Sequence, residues 1–333
     1  MLHATRYMHT PVLLKEVIEV LNPQPGEFFI DGTVGSGGHA VEIFKRVMPT
    51  GRILGIDLDK NNLEIARLKI STELRIKNLE LRNDLILIQG NYANLPEILK
   101  NENLPKADGL LLDLGFSSES LASGRGFTFQ KNEPLDMRYN EATRDKRQET
   151  GMTAAEIINS FSEKDLADIF WKYGEERLSR KIAKKIVTER KTKPIITTFD
   201  LVNVILSNSS RMKPNESPIF ERHSRKFEDY SRKYRIHPAT RVFQALRIYV
   251  NDELGNLERL LKNLPTIIKI KGRVAIISFH SLEDRLVKNY FREMAKNGQA
   301  EILTKKPIRP SEEEVKINTR SRSAKMRAII MKY

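Results

Sequence analysis

The chain has 333 residues, 40% apolar and 30% charged, with 57 Lys and Arg against 43 Asp and Glu for a net charge of +14. That length buries one large core, or one core and a smaller inserted one, and the lack of cysteine excludes disulfides, thiol catalysis and cysteine-held zinc or iron–sulfur centres. The six histidines show no i, i+4 pair, so a zinc-binding helix is not expected and no metal-ligand residues are assigned, and no apolar run reaches the roughly 18 residues of a membrane span.

The N-terminal stretch MLHATRYMHTPVLLKEVIEVL spaces charges through its apolar positions, unlike a signal peptide. A cytoplasmic protein is expected, with Met8 as an alternative start that leaves residues 1–7 as a loose extension. Four short apolar runs follow: EFFID (27–31), RILGID (52–57), LILIQG (85–90) and DGLLLDLG (108–115). Between them VEIFKRV and NNLEIARLKISTELRI repeat apolar residues at three and four. Strands alternating with helices predict an α/β, doubly wound parallel sheet covered on both faces.

From 118 to 236 the strand signal disappears. SESLASGRGFTFQKNEPLDMRYNEATRDKRQETG reads as a long polar surface loop, and three helical stretches follow between 152 and 208. Ser162, with Asp165 three residues later, predicts a helix N-cap. Alternation resumes with one long helix through ATRVFQALRIYVNDELGNLERLLKNL, a strand GRVAIISFHS, a helix and a last strand MRAIIMKY. The boundaries drawn are 9–117 plus 237–333 for the sheet domain and 118–236 for a helical insert, with 305–325 as a loop.

Cations cluster three times. Segment 172–193 holds Lys172, Arg177, Arg180, Lys181, Lys184, Lys185, Arg190, Lys191 and Lys193; a second group lies between Arg222 and Arg235, and a third is Arg320, Arg322, Lys325 and Arg327. Together they predict a polyanion partner. Trp171, Tyr173, Phe227, Tyr230 and Tyr234 lie among them, as stacking platforms or as packing residues.

The glycine run 31-DGTVGSGGHA-40 follows the first strand, where an open α/β sheet binds its ligand. Asp57 ends the second strand 22 residues after Gly35, positioned to accept ribose hydroxyls of either NAD or S-adenosylmethionine. Asp31 separates the two. A carboxylate beside the turn repels a pyrophosphate but faces the ammonium of a methionine moiety, which favours the methyl donor. Asn91-Tyr92 ends the third strand, either against adenine or as a capped turn, and Asp113 ends the fourth beside the expected methyl group.

The motifs HTPVLLKEVIEVLNP (9–23), DGTVGSGGHA (31–40), LLDLGFSS (111–118), RGFTF (125–129), PLDMR (134–138), HPATRVFQALRIYVNDEL (237–254), SFHSLEDR (278–285) and RSAKMR (322–327) resemble, in collinear order, the RsmH (MraW) family of bacterial 16S rRNA cytosine-N4 methyltransferases. The resemblance implies a Rossmann-like class I SAM-dependent methyltransferase with an inserted all-helical domain. Its implied reaction is methylation of cytidine 1402 in the decoding centre, on 16S rRNA or the 30S subunit, with S-adenosyl-L-methionine as cofactor. It places cofactor contacts on Gly37, Gly38, His39, Asp57, Tyr92 and Asp113, while Ser120 stands where the family has Gln.

For transfer, the exocyclic amine needs hydrogen-bond acceptors, and Asp113, or Ser117 and Ser118, supply them, with Phe116 near the base. His280 either takes a proton or builds its turn. Arg241 is either an RNA contact or part of a Pro-defined helix start, and Arg320, Arg322, Lys325 and Arg327 are expected on phosphate, having no acid among them. A NAD-dependent oxidoreductase and a non-catalytic RNA-binding protein remain as rivals, and a homodimer stays open.

Overall fold

The structure is a computed structural model that describes residues 11–76, 84–115, 123–139, 151–206 and 237–332. Its sheet includes β1 (Phe28–Asp31), four consecutive buried residues. A strand covered on both faces needs an unbroken apolar run rather than an alternating one, and FFI supplies it. β1 lies parallel to β2 (Arg52–Asp57) on one side and β4 (Ala107–Asp113) on the other. β3 (Leu85–Gln89) extends the sheet beyond β2, and β5 (Ile268–Ser278) beyond β4. β7 (Lys325–Met331) pairs antiparallel with β5, and β6 (Ala300–Ile302) antiparallel with β7. The order is β3-β2-β1-β4-β5-β7-β6, so the winding reverses between β1 and β4. This is the expected doubly wound, Rossmann-like class, with its last strand turned round.

Alternation along each strand sorts side chains between two cores. Phe29, Ile53, Leu111 and Ile277 share one with α1 (Leu14–Leu21), α2 (Gly38–Val47) and α3 (Lys60–Ile76). Phe28, Leu54, Leu110 and Ile276 share the other with α4 (Leu95–Asn101), α10 (Glu253–Ile267) and α11 (Ser281–Lys296). Both faces are therefore sealed by apolar helix stripes. No helix among the described residues is long and apolar enough to cross a membrane.

The chain divides into two compact units, Met1–Phe116 with Leu254–Tyr333, and Ser117–Glu253. The second is helical: α5 (Ala154–Ser160), α6 (Glu163–Gly174), α7 (Ser179–Glu189), α8 (Thr198–Leu206) and α9 (Pro238–Val250). Ile157, Phe170, Ile186, Leu201 and Leu246 meet in its core. Ser162 caps α6 as the sequence indicates, accepting from Asp165 N at 3.1 Å.

Three expectations are corrected here. The single long helix is two, α9 and α10, because Asp252 takes a left-handed φ of +47° and Asn251 turns inward. Asn251 Nδ2 donates to Met137 O at 2.8 Å while its Oδ1 accepts from Tyr139 N at 2.9 Å. α9 accordingly belongs to the helical unit, where Val242 and Leu246 are fully buried, and the change of unit falls at this break rather than at His237. Nor is 123–139 a surface loop: Leu135 and Met137 are buried in the helical core, with Phe127 and Phe129 packed on it. The 305–325 stretch carries a helix of its own, α12 (Glu312–Ile317), and a one-turn helix over Thr319–Ser323.

Gly109 of β4 lies opposite Phe29 of β1, and a methyl group there would overlap the buried Phe29 ring. Gly109→Ala is expected to cost about 1–3 kcal/mol through overpacking, read as a lower midpoint in urea unfolding.

Candidate active site

Asp31, Asp57 and Asp113 terminate β1, β2 and β4, and strand alternation puts all three on the α1–α2–α3 side of the sheet. The turn that follows Asp31 fastens them together. Thr33 N donates to Asp31 Oδ1 at 3.2 Å, and Thr33 Oγ1 accepts from Asp113 N at 2.7 Å. Gly35 N donates to Asp57 Oδ2 at 2.9 Å, while Asp57 Oδ1 accepts from Asp59 N at 2.8 Å and Asn62 Nδ2 at 3.1 Å. Of roughly four acceptor positions on the Asp57 carboxylate, three are thus used, one by the glycine turn and two by Asp59 and the start of α3. Gly37 caps α2 with φ +80°, and a methyl group on it would stand 3.1 Å from Ala66 Cα. Only glycine lets α2 start this close to α3.

Burial drives the Asp31 carboxyl up to about 7; the Thr33 N–H opposes this, and the charges of Asp113 and Asp57 add to it. Burial also raises Asp57, against the hydrogen bonds from Asp59, Asn62 and Gly35. A strand edge carrying three acids repels anions and stabilises a cation.

The N-terminal segment forms a strap beside this turn. Pro11 lies against Gly38, where an added methyl would come within 2.5 Å of its Cγ. His39 Nε2 lies 2.9 Å from Val12 O, which fixes the proton on that nitrogen, and its Nδ1 is 3.8 Å from Asp113 Oδ2. Leu13, at a left-handed φ of +55°, donates its N–H to Glu314 Oε1 at 2.8 Å. The buried His39 ring is therefore turned to the strap and to Asp113.

Tyr92 is half-buried beside the turn; a methyl on Gly32 would lie 3.3 Å from its Cβ. Asn91 caps the turn through Ala93 N (2.9 Å), and its Nδ2 donates to the buried Asn256 Oδ1 at 2.8 Å. His280 builds its turn: it is the N-cap of α11, its Nδ1 accepting from Glu283 N at 3.4 Å. Its Nε2 lies 3.0 Å from Glu283 Oε1, without hydrogen-bond alignment. Glu283 Oε2 in turn accepts from Phe279 N at 2.8 Å.

The basic residues expected on phosphate fare unequally. Lys325 and Arg327 meet an acid after all, Asp284 of α11, at 3.3 and 2.7 Å. Burial raises the Asp284 carboxyl, but the Arg327 hydrogen bond and the charges of Arg327 and Lys325 outweigh it and hold it below the usual range. Arg320 and Arg322 are exposed on the turn Thr319–Ser323. In the helical unit, Arg241 lies 4.0 Å from Glu176 and Trp171 is 61% exposed. Phe116, Ser117, Ser118, Ser120 and the Arg222–Arg235 group lie outside the described residues. Sequence reasoning missed Thr33, Asn62 and Glu314; Thr33 alone carried a signal, its place inside the glycine run.

Two predictions follow from these contacts. The folded chain holds the Asp31 proton up to about pH 7, whereas the unfolded chain releases it near 4, so stability should fall as pH rises across that window and level off above it. Asp31→Asn is expected to remove that decline, measured as urea midpoints from pH 5 to 8. Glu314→Ala should speed hydrogen exchange at the Leu13 amide about tenfold or more, while Glu314→Gln, still an acceptor, keeps it slow.

The sequence profile of the MraW methylase family matches residues 6–332. A Ribosomal RNA small subunit methyltransferase H from Dictyoglomus thermophilum is 43% identical over 322 residues, covering 96% of this chain and 95% of the relative. One from Thermosipho africanus is 43% identical over 320 residues, covering 96% of each. Among solved structures, an rRNA methylase from Streptococcus thermophilus is similar at a TM-score of 0.40 and 9% identity, covering 98% of this chain and 100% of that one. With a profile match across nearly its whole length and relatives of this identity, the chain belongs to the MraW methylase family.

Proposed function

We propose that this protein transfers a methyl group from S-adenosylmethionine to 16S ribosomal RNA of the small subunit, at N4 of cytidine 1402, in the cytoplasm. One observation carries the reading: in a member of this methylase family, three strand-end acids share one face around a glycine turn that has no Lys-Ser/Thr phosphate motif. An acidic rim fits a cationic sulfonium nucleoside and disfavours the pyrophosphate of a dinucleotide. Bound there, S-adenosylmethionine supplies an electrophilic methyl group.

Asp31 faces the ammonium end, Asp57 offers its remaining acceptor position to the ribose, and Tyr92 borders the adenine. Gly37 and Gly38 keep side chains out of the way. Asp113 holds the amine: cytosine N4 is a weak nucleophile, its lone pair delocalised into the ring, and an acceptor on its N–H draws electron density back to nitrogen as it attacks. The Asp113 main chain is tied to Thr33 Oγ1 at 2.7 Å, so the acid is fixed relative to the turn. Helical unit Ser117–Glu253, with its cations, receives the RNA.

Incubation with labelled S-adenosylmethionine and immature small subunits should give N4-methylcytidine at position 1402. Binding of NAD without binding of S-adenosylmethionine would overturn the reading. Asp113→Asn is expected to lower kcat by about 100-fold with donor affinity changed only a fewfold; loss of donor binding with normal turnover of the bound complex would remove the acceptor role.

A further inference from the structure

Nine cations fall in residues 172–193, and the structure sorts them. The Lys172 ammonium lies 5.0 Å from the centre of the Tyr173 ring, Arg190 donates to Ile158 O at 2.6 Å, and Lys193 pairs with Asp200 at 3.0 Å. Lys185 is engaged as well. The remaining five, Arg177, Arg180, Lys181, Lys184 and Lys191, are exposed and make no ion pair among the described residues. Within α7 (Ser179–Glu189), Arg180, Lys181 and Lys184 stand three and four apart, which aligns them on one stripe. Ile182, Ala183 and Ile186 bury the other side of the helix in the core.

Helix stability does not account for this stripe. The first turn of α7 contains no acid, its last turn no cation, and it ends on Glu189. Arg180 and Lys181 therefore sit where the helix field is already positive, the reverse of the stabilising polarity. They also repel Lys184 across a single turn. Cations kept exposed, unpaired and against the dipole fit a polyanion that neutralises them on contact.

We infer that the solvent face of α7 is a rail for the sugar–phosphate backbone of the RNA substrate, an inference that rests on the function proposed above. Its cations track phosphates and leave the reading of bases to other residues.

The test uses the full chain, a fluorescent single-stranded RNA from the small-subunit decoding region, and titrations at several potassium chloride concentrations. The triple variant R180Q/K181Q/K184Q should bind this RNA on the order of tenfold more weakly, with its salt slope shallower by about 2. Its unfolding midpoint should be equal to or higher than that of the wild type, and its affinity for S-adenosylhomocysteine unchanged. Unchanged RNA affinity and slope, in a protein whose wild type methylates small subunits, overturn the rail alone. A wild type that neither binds nor methylates this RNA overturns the proposed function with it. Loss of binding to phosphatidylserine vesicles, with RNA affinity unaltered, overturns the rail in favour of a lipid surface.

Discussion

The burial of the Asp31 carboxyl beside two half-buried acids, Asp57 and Asp113, is the constraint around which the strand-end turn of the sheet unit is organised. Asp31, Asp57 and Asp113 end neighbouring strands on one face, and like charges at this depth are costly unless donors surround them or a proton neutralises one. Both remedies are present. Main-chain N–H groups of Thr33, Gly35 and Asp59 point at the acids, and Asp31 keeps a proton up to about pH 7. Gly35, at a left-handed φ of +49°, aims its amide at Asp57, whereas Gly37 and Gly38 answer to the close approach of Ala66 and Pro11. A cationic ligand completes this balance where a phosphate would worsen it.

Much of that arrangement was legible in the sequence. Apolar runs closed by Asp give β1, β2 and β4, and the interval from Gly35 to Asp57 is fixed by the length of a helix and a strand. What escaped had no local pattern. Glu314 meets Leu13 across 301 residues, and Asp284 meets Lys325 and Arg327 from a different helix. No spacing rule reaches that far. Leu135 and Met137 sit in a stretch whose average polarity hides two inward apolar side chains, and the break at Asn251 arises from a side-chain amide bonded to Met137 O. Periodicity sees neither.

The two units treat charge differently. In the sheet unit the cations near the C-terminal segment are partly consumed: Asp284 ties Lys325 and Arg327 to α11, so that corner is a structural clamp as well as a basic surface. In the helical unit Arg180, Lys181 and Lys184 of α7 are exposed and make no ion pair among the described residues, while the opposite, apolar side of the helix is buried in the core. A basic net charge is thus composed of two populations, one serving the fold and one facing outward. Composition counts them together; only the tertiary contacts separate them.

The bond from Leu13 to Glu314 has a temporal meaning. During synthesis at about 5–20 residues per second, the strap emerges early and waits tens of seconds for the carboxylate that secures it. β5, which flanks β4, likewise arrives only after residue 268. The strap beside the glycine turn is therefore fastened only after strands β1 to β5 have all been made.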